Sequence, residues 1–436
     1  MKYAPIDNLL FIENRNRFKA ALKPGAVAFF NANDEMPRNG DCNFPYRQHS
    51  DLFYLSGIDQ EQTILVIFPD APLPQYKEIL FLRQTNEKIA VWEGHKYTKE
   101  EARKASGIQS VYWLEEFASI LTVLMNHSNC VYLNLNENDR FSSEVPYREL
   151  RFSNDLKKRY PAHTYERSGP LLSQLRTLKN DMEIKLMQKA IDITEKAFRR
   201  VMRFVKPGVM EFEIEAEVTH EFIRKRASGH AYTPIIASGA NACVLHYIQN
   251  NMECKSGDVI LMDFGAEYAN YAADLTRCIP VNGEFTDRQR DIYNAVLRVM
   301  RQATKMLVPG NTIEKYHVEV GTIMEQELIG LGLLNKEEVK KQNPEHPLYK
   351  KYFMHGTSHF LGLDVHDVGN KYEPMKAGMV FTCEPGIYIP EENLGIRIEN
   401  DILVTTKTPI DLMSAIPVEV EDIEEAMREA RMIANS

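Results

Sequence analysis

The 436-residue chain carries a net charge of −9 and 44% apolar residues. That length suits about two to three domains around a sizeable core, and the acidic balance argues against a general nucleic-acid binder. No run is long and apolar enough to span a bilayer, and the start, Met1 to Asp7, has no apolar signal-peptide segment.

Taken in order, the first third alternates helical and extended stretches. Glu13 to Leu22 is predicted as a polar amphipathic helix and Ala26 to Phe30 as a strand. Thr63 to Phe68, Glu78 to Leu82 and Cys130 to Leu135 read as further short apolar strands, and Lys99 to Ser106 and Glu115 to Met125 as helices. Such alternation implies a small α/β domain with a central sheet. Asp34 to Ser56, punctuated by Pro37, Gly40 and Pro45, reads as a structured loop. The turn signals of Glu166-Arg167-Ser168-Gly169-Pro170 put a domain boundary near Pro170, giving domains 1–170 and 171–436. Six scattered cysteines, Cys42, Cys130, Cys243, Cys254, Cys278 and Cys383, form no C-x-x-C pair. They read as reduced thiols of a cytoplasmic protein.

Beyond the boundary, one pattern occurs twice. Leu171 to Phe204 is predicted as a single long helix that stops at Lys206-Pro207-Gly208, with a second helix from Glu211 to Ala227. Asp287 to Leu307 stops likewise at Val308-Pro309-Gly310, and another helix begins near Thr312. Each pair precedes an apolar run that opens on a glycine and closes, six residues later, on a carboxylate: Gly257 to Asp263, and Gly378 to Glu384. A further carboxylate follows each, Asp274 and Glu399. The repetition implies an α+β domain with a pseudo-twofold internal repeat, antiparallel strands inside, helices outside and a site between the halves. The chain ends on an acidic amphipathic helix, Ile423 to Ile433, packed through Ile423, Met427 and Ala430.

An ionised carboxylate in a core strand costs several kcal/mol unless it is paired. Four converging carboxylates call for compensating cations, and two divalent metals would supply them. The run His355-Gly356-Thr357-Ser358-His359-Phe360-Leu361-Gly362-Leu363-Asp364-Val365-His366-Asp367 adds three histidines among glycines, which let ligands approach closely. Its spacing is not that of an H-E-x-x-H helix. His246, in the stretch Asn241 to Asn251, is a lone loop histidine. Asp263-Phe264-Gly265 spells a kinase triplet, but no glycine-rich loop, His-Arg-Asp or Ala-Pro-Glu accompanies it.

Five separated motifs in order then resemble one family. They are Tyr46-Arg47-Gln48-His49-Ser50-Asp51, the His355 to Asp367 run, Cys383-Glu384-Pro385-Gly386-Ile387-Tyr388, Gly395-Ile396-Arg397-Ile398-Glu399, and the Glu-Glu-Ala-Met ending. The chain resembles the aminopeptidase P (Xaa-Pro aminopeptidase) and prolidase family, whose catalytic domain has the pita-bread fold. The resemblance implies metal ligation by Asp263, Asp274, His359, Glu384 and Glu399. Four carboxylates and one imidazole favour a hard or borderline cation, manganese ahead of zinc, with cobalt and iron as other occupants.

The resemblance also implies the chemistry. A hydroxide bridging two metals attacks the Xaa-Pro carbonyl, and Glu384 passes a proton to the proline nitrogen. His246 and His366 donate to the developing oxyanion and the substrate carbonyl. His355 lines the proline pocket, and Arg397, two residues from Glu399 on the same face of a strand, holds carboxylate ligands. Prolidase, which takes only dipeptides, shares the five ligands and remains the alternative; a pita-bread binding module without metal would lack at least one of them. The His355 to His359 spelling is more similar to aminopeptidase P, whereas the short loop between Pro390 and Gly395 departs from its pattern. Trp92 resembles a tryptophan lent to a neighbouring subunit's active site, against the plainer reading of a packed aromatic. It implies a homodimer or homotetramer acting on peptides that begin Xaa-Pro, with neither nucleic acid nor membrane as partner.

Overall fold

Ala26–Asn31 is buried along its whole length, as a strand must be when both its neighbours and both its faces are covered. It is a central strand of a six-stranded mixed sheet with the order Ser110–Trp113, Glu78–Leu82, Ile64–Ile67, Ala26–Asn31, Cys130–Leu133, Thr164–Arg167. It runs antiparallel to Ile64–Ile67 and parallel to Cys130–Leu133. Val27, Phe29, Val66, Phe81, Leu124 and Val131 share one apolar core against this sheet. The computed structural model describes residues 3–434; Met1 and Lys2, at the polar start, and Asn435 and Ser436 lie outside the described residues.

The described residues divide into two compact units, with the chain passing from one to the other between Arg176 and Thr177. The turn read at Gly169-Pro170 is the start of a helix, Gly169–Thr177, that belongs to the first unit up to Arg176. The Asp34 to Ser56 stretch is more ordered than a loop. It holds a small hairpin, Pro37–Asn39 with Cys42–Asn43, and a fully buried helix, Ser50–Ser56. The His49 ring accepts from the Asp51 amide at its start, and Gly57, at φ 67°, stops it. Trp92 lies on a further helix absent from the sequence reading, Glu87–Glu93.

The long helix expected over 171–204 is two helices, Gly169–Thr177 at the end of the first unit and Asp181–Phe204 in the second. The chain leaves the helical path at Leu178-Lys179-Asn180, where the Lys179 amide donates to the Gly378 carbonyl (2.9 Å). Asn180 then caps Asp181–Phe204 through the amides of Met182 and Glu183, and Glu183 returns the contact. The two halves match in order. Asp181–Phe204 and Glu211–Arg224 precede the antiparallel sheet Ile235–Ser238, Val259–Phe264, Leu275–Pro280. Asp287–Thr304 and Ile313–Gly330 precede the antiparallel sheet Val380–Cys383, Asn400–Leu403, Ile410–Asp411. The second half adds a hairpin, Gly386–Ile389 with Leu394–Arg397. The last helix, Val420–Ala434, buries Ile423 and Met427. No helix among the described residues is long and apolar enough to cross a membrane.

Candidate metal centre

Asp263 is the penultimate residue of the strand Val259–Phe264, which ends before Gly265. A Cβ on Gly265 would stand 1.7 Å from the Ala273 carbonyl oxygen, so only glycine lets the returning chain pass this close. That approach brings Asp274 back beside Asp263, and the hydroxyl of Tyr232 lies 2.5 Å from a carboxylate oxygen of each. Register does the rest. Thr276 is the cross-strand partner of Asp263 on one side and forms an isolated bridge to Glu399 on the other. Its hydroxyl donates to Glu399 (2.6 Å) and accepts from Arg397 Nε (3.2 Å).

The second half contributes His359, Glu384 and Glu399. Ligand atoms of Asp274, His359 and Glu399 lie within 4.8 Å of one another. His359 Nε2 is 3.4 Å from Asp274 and 3.7 Å from Glu384, while its Nδ1 faces the Phe360 carbonyl at 2.9 Å, which orients the ring. Arg397 Nη2 donates to Asp263 (2.6 Å) and Nη1 to the Tyr388 hydroxyl (2.8 Å). The Tyr388 hydroxyl stands 2.8 Å from His355 Nε2, and His355 Nδ1 faces the Gly356 carbonyl at 2.7 Å. With an Nδ1 proton on that carbonyl, Nε2 accepts from Tyr388. His355 lies 3.9 Å from Glu384, and the His366 ring packs against His359, tilted at 50° with centroids 4.1 Å apart. His246 is exposed on the loop after Gly239–Cys243, near enough to His355 to disfavour its protonation. Arg397 and Glu399 do not share one strand: Leu394–Arg397 ends at Arg397, and Glu399 precedes Asn400–Leu403 in an isolated bridge to Thr276.

The electrostatics suit divalent cations. Burial, followed by repulsion from Asp274, Glu384 and Asp263, raises Glu399 well above the carboxylate range. Burial also raises Asp274 and lifts Glu384 to about 7. For His359 burial works against the proton, but Asp274 and Glu384 outweigh it and its affinity rises. His355 falls to about 4, through burial and then Arg397, and so stays neutral. The one hydroxyl proton of Tyr232 cannot serve two carboxylates at once; among the described residues Arg397 donates to the Asp263 carboxylate, while Arg277 reaches only the Glu399 backbone carbonyl. Four carboxylates, two of them buried and two half-buried, with one imidazole, are therefore a donor set that fits hard divalent ions.

The sequence reading did not single out Tyr232, Thr276, Tyr388 or Asp401, whose carboxylate accepts from the Asp274 amide (3.2 Å). Strand alternation from Asp274 could have found Thr276, two residues on. Nothing local marks Tyr232. Trp92 projects from its helix with 88% of its surface exposed, which rules out the packed-aromatic reading within this chain.

Comparison with known proteins adds independent findings. Residues 185–406 match the model of metallopeptidase family M24, and residues 11–132 that of the aminopeptidase P N-terminal domain. The chain is 36% identical to the Xaa-Pro aminopeptidase of Haemophilus influenzae, across 96% of each protein. It is 33% identical to that of Escherichia coli, across 97% of this chain and 98% of the other. Among solved structures, Pseudomonas aeruginosa aminopeptidase PepP superposes with a TM-score of 0.88 at 31% identity, covering 98% of this chain and 99% of that one. Zinc-substituted E. coli aminopeptidase P in complex with product gives 0.87 at 32% identity, covering 98% and 100%.

Proposed function

Because the chain belongs to metallopeptidase family M24 and carries an aminopeptidase P N-terminal domain ahead of a pita-bread domain, we propose that it is an Xaa-Pro aminopeptidase. It is a metal-dependent exopeptidase, and it releases the first residue of peptides that have proline in second position. The observation that carries this reading is the convergence of carboxylates from both half-repeats around one arginine, with His359 among them. Asp263, Asp274, His359, Glu384 and Glu399 would hold two divalent ions, manganese by the hardness of the donors. When bound, such ions supply Lewis-acid activation of water and neutralise the carboxylates.

The chain's own groups do the remaining work. Glu384, poised by burial near 7, takes a proton from the attacking water and returns it to the proline nitrogen. His246 and His366 donate to the carbonyl oxygen as it gains charge. Neutral His355, its Nε2 occupied by Tyr388, lines the proline pocket. Arg397 holds Asp263 and Tyr388 in place.

The reading extends to assembly and compartment. A homodimer or homotetramer in which Trp92 meets a neighbouring subunit is supported by the exposure of Trp92 and Val91, 88% and 81%. A cytoplasmic location is supported by six cysteines that are all free thiols. The deciding assay offers the manganese-loaded protein an Xaa-Pro-Yaa tripeptide beside an Xaa-Pro dipeptide. Release of the first residue from the tripeptide is expected. Cleavage of the dipeptide alone would make the protein a prolidase, and no cleavage of either would leave a binding module.

A further inference from the structure

His246 sits in the segment from Ser238 to Met252, which after the turn Gly239–Cys243 has no regular structure. An exposed side chain on such a stretch can hold a catalytic angle only if something beneath it is rigid. That something is Glu211, the first residue of the helix Glu211–Arg224 and 0% exposed. One carboxylate oxygen accepts from the Ser238 amide (2.8 Å) and from Asn241 Nδ2 (3.0 Å). The other accepts from the Tyr247 hydroxyl (2.7 Å) and the Met252 amide (2.9 Å). Four donors thus come from the start, the middle and the end of the segment, one of them from the residue next to His246. The Glu211 amide in turn donates to the Met252 carbonyl (2.9 Å).

A second latch lies alongside. Asn250 is 2% exposed at φ 45°, a left-handed conformation that asparagine tolerates. Its side chain accepts from the Ile236 amide (3.0 Å) and donates to Glu215 (2.8 Å) and the Pro234 carbonyl (3.0 Å). Helix Glu211–Arg224 thereby grips the segment at two points one turn apart. A carboxylate at a helix N-terminus with both oxygens doubly engaged is a strong anchor. Its amide isostere would turn an NH2 group towards a backbone amide, Ser238 or Met252, that can only donate, and lose that bond whichever way it lies.

We propose that Glu211 is a positioning residue for the reaction: it fixes the segment so that His246 meets the reacting carbonyl. The proposal rests on the assignment of His246 as a donor to the substrate. Glu211→Gln, His246→Ala and the double variant are compared on an Xaa-Pro-Yaa tripeptide for kcat, KM, metal content and thermal midpoint. Glu221→Gln, on the same helix and paired with Arg200, Arg224 and Lys225 instead, is the control for general loss of stability. Glu211→Gln is expected to lower kcat about tenfold or more with metal retained and KM within about threefold. On the His246→Ala background the same change should cost less than about twofold. Tyr247→Phe, which deletes one donor and keeps the ring, carries the same test at about threefold should Glu211→Gln not fold. The proposal is overturned if Glu211→Gln keeps wild-type kcat, if its loss persists undiminished without His246, or if Glu221→Gln loses kcat equally. A wild-type kcat in His246→Ala would instead overturn the role of His246, and the proposal with it.

Discussion

Both units bury acidic side chains, and they treat them differently. In the first, Glu149 is buried beside Asn31, whose amide and side chain donate to its two oxygens at 2.7 and 2.8 Å. Burial lifts Glu149 to about 8, so it sheds its charge at neutral pH. Its neighbour Asp51 keeps a partner of its own, Arg176 at 2.8 Å, with Asn134 at 3.0 Å. Each acid there is neutralised by a proton or matched to a cation. In the second unit Asp263, Asp274, Glu384 and Glu399 converge around one arginine. Burial is common to both; convergence in excess of the available cations is peculiar to one, and that excess is what divalent ions can relieve.

The contrast breaks most visibly by substitution. Asp263→Ala, Asp274→Ala and Glu399→Ala should each lose bound metal, measured by elemental analysis, and nearly all activity. Glu149→Gln should leave both quantities at wild-type values. Full metal content with normal turnover in any of the three alanine variants would place the ions elsewhere.

Next in size are the groups that act on substrate rather than on metal. His246→Ala and His366→Ala should retain metal and lose about 10²–10³ in kcat, or about 2.7–4 kcal/mol of barrier. Metal loss in either would move that histidine into the ligand set.

The first unit's acid makes a pH prediction. The affinity of Glu149 is raised from an ordinary 4.5 to about 8 on folding, so the unfolded chain ionises first as pH rises. Stability from this group is complete below about 4.5 and falls by about 1.4 kcal/mol per pH unit until about 8. Denaturant unfolding across that range should show the slope in the wild type and its removal in Glu149→Gln; equal slopes in both would mean that Glu149 is ionised in the fold.

Smallest is the exposed tryptophan. Trp92→Ala should lower turnover on longer peptides by about threefold to tenfold and weaken self-association seen by light scattering. A wild-type protein that is monomeric at micromolar concentration and fully active would remove the assembly role.

Much of this molecule was decided by its sequence alone. Glu78–Leu82 and Lys99–Ser106 were legible to the residue because their signals are local: an apolar run bounded by polar residues, and a capping box between Thr98 and Glu101. The repeated order of helices, Pro-Gly stops and strands ending in carboxylates was legible for the same reason, as was the family resemblance. Other features belong to the tertiary structure. The helix break at Leu178-Lys179-Asn180 has a local signal in the Asn180–Glu183 capping box, to which the tertiary structure adds the hydrogen bond from Lys179 to Gly378, some two hundred residues away. The buried helix Ser50–Ser56 owes its place to packing in the first unit's core. Tyr232, Thr276 and Glu211 gain their partners from cross-strand register and from donors distant in the chain. A carboxylate's residue type can be read from one position, but whether it meets a proton, an arginine, a metal or a loop depends on which distant backbone the fold brings beside it.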